Sequence, residues 1–139
     1  MSARSVLVAM DGSPNALRAL RHAIAWTKLC RMDLHLVHVL PRIKSGRLMP
    51  QALIDDYYER QRTEAFAKAS RILRTAHITA TLESLFGEPA PVLAAYAKKH
   101  RCMQIVIGNK GHGAVKGLLI GSVAMKVLHL SPVPVVLVK

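Results

Sequence analysis

A chain of 139 residues, 51% of them hydrophobic, is long enough for one domain with a real core. No apolar run approaches the roughly 18 residues of a membrane span, and Cys30 and Cys102 stand in no metal or redox spacing, which reads as two buried, reduced thiols. Twenty Lys and Arg face eight Asp and Glu, and no acidic residue follows Glu88, so the C-terminal third should carry positive potential and attract anions.

The opening residues have a short apolar run that breaks at Asp11, without the h-region and cleavage site of a signal peptide, which points to a cytoplasmic chain. That run, SVLVAM at 5–10, suits a strand buried on both faces. The segment DGSPNALRALRHAIAWTKL offers Ser13 as an N-cap and Pro14 at the first helical position. Leu17, Leu20, Ile24 and Thr27 then fall on one face of a helix, with Arg18, Arg21 and Lys28 off it. DLHLVHVL is a second strand, and 41–50, bounded by Pro41 and Pro50, is a loop. A long polar helix is expected over about 51–75, a third strand in ITATLESLF, and a helix from Glu88 and Pro89 to about His100. MQIVIG is a fourth strand, followed by a glycine-rich loop, a helix over about 122–130 and a last strand, PVVLVK.

Strands alternating with helices imply an α/β fold, a parallel sheet with right-handed crossovers and helices on both faces. No linker or repeat interrupts it, so residues 1–139 read as one domain. In such a sheet a ligand lies outside the C-terminal strand ends, where strand order reverses. The loops after strands one and four, DGS and the glycine segment, would then face each other across that crevice.

Residues 108–122, GNKGHGAVKGLLIGS, hold five glycines. Bare backbone between a strand and a helix N-terminus is the usual setting for a bound phosphate. This is not a Walker loop, since Ala114 and Val115 replace the Lys and Ser/Thr. The GxGxxxG within it follows strand four rather than strand one, and no acidic residue lies downstream to hold a ribose. His35 and His38, three apart on a strand, point to opposite faces and do not share an ion. His38 reads as a packed, hydrogen-bonded residue at the strand end. Only Tyr96 among the aromatic residues lies in the basic third, so stacking platforms for nucleic acid are lacking.

The spacing Gly108-x2-Gly111-x9-Gly121-Ser122, together with VAMDGSPNALRAL, LHLVHV and SPVPVVLVK, resembles the universal stress protein family in its ATP-binding branch. The resemblance covers nearly the whole chain. It implies a single open, Rossmann-like five-stranded parallel sheet of order 3-2-1-4-5. It also implies a stress-response protein that binds an adenine nucleotide, ATP with Mg²⁺, and acts as a nucleotide-dependent regulator. Asp11 resembles the acidic residue that reaches the ribose or the metal on the phosphates, although capping of the first helix with Ser13 is open to it too. The Val39 backbone resembles the adenine contact, and Gly108, Gly111, Gly121 and Ser122 the triphosphate cradle. Ala9, Met10 and Ser13 beside Asp11, and Ile107, Asn109, Lys110, His112, Gly113 and Val123 beside the glycines, complete the expected nucleotide-binding set. Met103 and the Asn109-Lys110 pair depart from the family pattern. The family also pairs its last strand with a second copy, implying a homodimer through Val135–Val138. The rival readings are a slow ATPase, an enzyme autophosphorylated on Ser122, or a basic anion- or nucleic-acid-binding module on the same fold.

Overall fold

The computed structural model describes residues 4–112, 116–117 and 119–139. Nine elements alternate: β1 Ser5–Ala9, α1 Pro14–Cys30, β2 Asp33–Leu40, α2 Gln51–Thr75, β3 Thr81–Phe86, α3 Pro89–Lys99, β4 Cys102–Gly108, α4 Ser122–Leu130 and β5 Val135–Val138. The strands form one sheet of order β3-β2-β1-β4-β5. All pairs are parallel, so the C-terminal ends of the strands lie together at one end of the sheet.

Alternation along the central strands feeds two cores. Val6, Val8, Leu34, Leu36 and Val106 face α1 and α2, where they meet Leu17, Leu20, Ala69 and Leu73. Leu7, Val37, Ile105 and Ile107 face α3 and α4, against Leu93, Tyr96, Ala124 and Val127. β1 and β4 therefore read as unbroken apolar runs, being covered on both sides. At one end Tyr58 ties α2 to the loop after β2. Its hydroxyl donates to the Pro41 carbonyl (2.9 Å) and accepts from the Ile43 N–H (2.9 Å).

The expected boundaries hold with local differences. Ser13 caps α1, its Oγ accepting the Ala16 N–H at 3.2 Å, and Pro14 opens the helix. β3 begins at Thr81 rather than at Ile78, because pairing with β2 starts only at His35↔Thr81. β1 ends one residue before Met10, although the Met10 N–H still donates to the Val37 carbonyl at 2.8 Å. Cys102 is buried as expected, but Cys30 is exposed, because it falls on the outer side of the last turn of α1. β5 is an edge strand and only half-buried along its length. Among the described residues no helix is long and apolar enough to cross a membrane.

Candidate functional site

Between the C-terminal ends of β1, β2 and β4 lies a cavity of about 260 Å³, close to the ~300 Å³ lower end of small-molecule pockets. It sits where β1 is flanked by β2 and β4, the point at which strand order reverses. Its apolar wall is built on the α3–α4 face of the sheet from Ala9, Val37, Val39, Ile107, Leu93 and Ala124, with Pro89 at the start of α3 and Val123 in α4. Its polar wall comes from Asp11, Ser13, His38 and Gln61, with Lys110, Gly111 and His112 from the glycine loop. Gly121 and Ser122 close it at the N-terminus of α4.

Three helix N-termini converge here: α1 beyond Ser13, α3 at Pro89 and α4 at Gly121–Ser122. Each contributes partial positive charge. No side chain caps α4, whose N-cap is Gly121, so its first amides are open to an anion.

Asp11 has two roles at once. Oδ1 accepts the Ser13 N–H (2.8 Å), and Oδ2 accepts the His112 N–H (3.3 Å). The His112 ring meets the Asp11 carbonyl oxygen through Nε2 at 3.0 Å, so the loops after β1 and β4 are clasped together. A Cβ on Gly111 would lie 2.7 Å from Asp11 Oδ2, a contact that the carboxylate could relieve by turning. The negative group lying beside the backbone of Gly111 is thus a carboxylate of the chain itself.

Gly108 and Gly121 also answer to packing within the chain itself. A Cβ at Gly108 would come within 2.8–2.9 Å of Asn15 backbone and side-chain atoms. Gly108 therefore lets β4 approach the first turn of α1. A Cβ at Gly121 would sit 3.3 Å from the Asn109 carbonyl oxygen and 3.4 Å from Lys110 Cα, so the bare position lets the start of α4 lie close against the loop.

Of the expected residues, Ala9, Met10, Asp11, Ser13, Val39, Ile107, Gly108, Lys110, Gly111, His112, Gly121, Ser122 and Val123 line the cavity. Gly113 lies outside the described residues. Asn109 does not line the cavity. Its Oδ1 accepts from Asn15 Nδ2 (2.7 Å) and its Nδ2 donates to the Leu119 carbonyl (2.9 Å). Its backbone accepts from the Gly121 N–H (2.6 Å) and donates to the Val138 carbonyl (2.8 Å), making it a tie between both ends of the loop, α1 and β5.

His38 also departs from expectation. It is buried, but Nδ1 has no hydrogen-bond partner, and the residue lines the cavity. Burial pushes its pKa down and Arg62 adds to that, while Asp11 opposes them. Gln61, Pro89 and Leu93 were not singled out in the sequence, because α2 and α3 reach the cavity only through tertiary packing. On the opposite face His35 bonds the Tyr96 hydroxyl through Nδ1 (2.7 Å), so the two strand histidines are separated by the sheet.

A doubly wound parallel sheet with a cavity at its switch point defines the class of open α/β protein that takes its ligands outside the C-terminal strand ends. The chain belongs to the universal stress protein family, whose model, described as "Universal stress protein family", matches residues 2–139. It is 30% identical over 148 residues to the universal stress protein YxiE of Bacillus subtilis, covering 96% of this chain and 97% of that one. The fold is similar to universal stress protein UspA from Lactobacillus plantarum, with TM-score 0.86 at 18% identity over 100% and 99% of the two chains. It is also similar to the universal stress protein from Archaeoglobus fulgidus in complex with dAMP, with TM-score 0.74 at 25% identity and full coverage of both.

Proposed function

We propose that the protein binds an adenine nucleotide, ATP in its working state, and acts as a nucleotide-dependent regulator rather than as an enzyme. The observation that carries this reading is the division of the cavity into two chemistries. A purine fits the apolar wall of Val37, Val39 and Leu93, where β1 has ended and the β2 backbone at Val39 is free to meet a base edge. Phosphates fit the opposite end, at the uncapped α4 N-terminus beside Lys110. The dAMP complex of the Archaeoglobus relative supports the same ligand class.

Mg²⁺ would arrive on the phosphates. Asp11 is the carboxylate lining the cavity, and a hard oxygen-seeking cation would take it as ligand. Because Oδ2 already holds the His112 N–H, metal binding and release of the loop clasp would be coupled. The same geometry argues against turnover. With Asp11 committed to loop amides or metal, no second carboxylate among the described residues stands at the cavity to orient or deprotonate a nucleophile. Ser122 sits at the first position of α4, where a hydroxyl serves as a hydrogen-bond donor to phosphate.

Ser122→Asp tests the reading. An exposed Asp at a helix N-terminus supports the helix while placing negative charge where the phosphates should lie. At a hundredfold excess over the dissociation constant, ATP with Mg²⁺ should stabilise the wild type by about 2.7 kcal/mol in thermal unfolding. Ser122→Asp should lose most of that shift. Equal shifts in both proteins would contradict the assignment.

A further inference from the structure

We propose that His38 reads the sugar of the bound nucleotide, hydrogen-bonding a ribose hydroxyl through its cavity-facing nitrogen while the Ser84 hydroxyl holds the opposite one. The inference rests on the nucleotide reading above and assigns a residue which that reading leaves unused.

β2 alternation places Leu34, Leu36 and His38 on the α1–α2 face. The two leucines are core. His38, at the strand's C-terminal end, is 7% exposed, lines the cavity, and packs edge-on against Phe66 at 6.0 Å. An imidazole is a costly filler for such a position unless its nitrogens are used.

Among the described residues, two buried side-chain polar atoms have no partner: His38 Nδ1 and Ser84 Oγ. They belong to the same rung of the sheet, since His38 pairs with Ser84 across β2 and β3, and paired residues project to the same face. A hydroxyl rotates freely and serves as donor or acceptor. The two are not bonded to each other in the structure, so Ser84 reaches Nδ1 only through a change of its χ1 rotamer, after which it can serve either tautomer and leave the second nitrogen as the group turned to the cavity.

The chemistry of that nitrogen selects the sugar. Burial and Arg62 disfavour the protonated ring, which suits it poorly to a phosphate, and the Asp11 carboxylate nearby would repel one wherever no cation lies between them. The purine belongs on the other face of the sheet, against Val37 and Val39. What remains of a nucleotide is a neutral group that both donates and accepts, and only the ribose hydroxyls answer to that.

The test compares dissociation constants for ATP, 2′-deoxy-ATP and 3′-deoxy-ATP in the wild type, His38→Phe, His38→Gln and Ser84→Ala. The wild type should bind one of the two deoxy analogues roughly five- to tenfold more weakly than ATP, the weight of one neutral hydrogen bond. His38→Phe should bind ATP and that analogue alike, His38→Gln should keep part of the preference, and Ser84→Ala should narrow it. If His38→Phe does not fold, the Ser84→Ala comparison decides, because a small hydroxyl deletion on β3 leaves the cavity wall intact. Equal binding of all three nucleotides by the wild type overturns the inference, as does an undiminished preference in His38→Phe or, where that variant is unfolded, in Ser84→Ala. In both cases the nucleotide reading survives, whereas failure of every nucleotide to bind overturns the two together.

Discussion

Replacing Gly108 by Ala separates packing from ligand binding at the head of the glycine loop. The new methyl would lie 2.8 Å from the Asn15 carbonyl carbon and Cβ and 2.9 Å from its oxygen, well inside van der Waals contact. Most of that obstacle is backbone in the first turn of α1, and the turn is held on both sides. Ser13 caps the helix, and Asn15 Nδ2 is bonded to Asn109. Neither β4 nor α1 can yield without disturbing the core that Val106 and Leu17 share. Overpacking of this kind costs about 1–3 kcal/mol. At this chain length each kcal/mol moves the melting temperature by about 3–5 °C, so the expected loss is roughly 3–15 °C. Thermal unfolding in the absence of nucleotide is the assay, with Gly111→Ala as the control. At Gly111 the methyl would meet only the movable Asp11 carboxylate, and the loss should be small. A Gly108→Ala protein melting within 1 °C of wild type would refute the close approach of β4 to α1.

Other outcomes follow from the same structure. Burial holds the pKa values of both His35 and His38 below the ordinary value, with His100 adding to the effect at His35 and Arg62 at His38. The unfolded chain then binds more protons than the folded one below pH ~6.5. The urea midpoint should therefore be flat above that pH and fall towards pH 5, and His38→Gln should make the fall shallower; an unchanged profile counts against a neutral His38. The half-buried edge strand β5, beside exposed Val123, Met125, Leu128 and Leu130 of α4, should pair with a second copy. Light scattering at micromolar concentration should give a dimer mass, reduced by Val136→Pro, and a monomeric wild type would contradict it. Incubation with γ-labelled ATP should release phosphate far below the ~1 s⁻¹ of slow ordinary enzymes; turnover at that rate, abolished by Asp11→Asn or His112→Ala, would make the protein an enzyme.

Most of the fold was legible because its signals are local. Ser13 and Pro14 announce the start of α1, and the both-face apolar runs of β1 and β4 announce a covered parallel sheet. The facing of the loops after β1 and β4 followed from topology. What escaped depends on contacts between distant segments. Gly108 and Gly121 read as phosphate residues by their spacing, whereas the packing on Asn15 and Asn109 that also keeps them bare shows only in the tertiary structure. Asn109 reads as a ligand contact by position, but its side chain is taken up by Asn15 and Leu119. The place of His38 depends on the register of β3, which brings Ser84 beside it and which no periodicity reveals. The exposure of Cys30 escapes the sequence because a thiol's burial depends on which side of the last helical turn it falls.

The cavity between β1, β2 and β4 is the proposed seat of an adenine nucleotide. Calorimetric titration of the full chain with ATP and Mg²⁺, run in parallel on Ser122→Asp, tests it most directly. Saturable binding of one nucleotide per chain, lost in the variant while its unliganded melting temperature is kept, is the predicted result. No saturable heat for the wild type up to millimolar ATP, or identical isotherms for the two proteins, would contradict it.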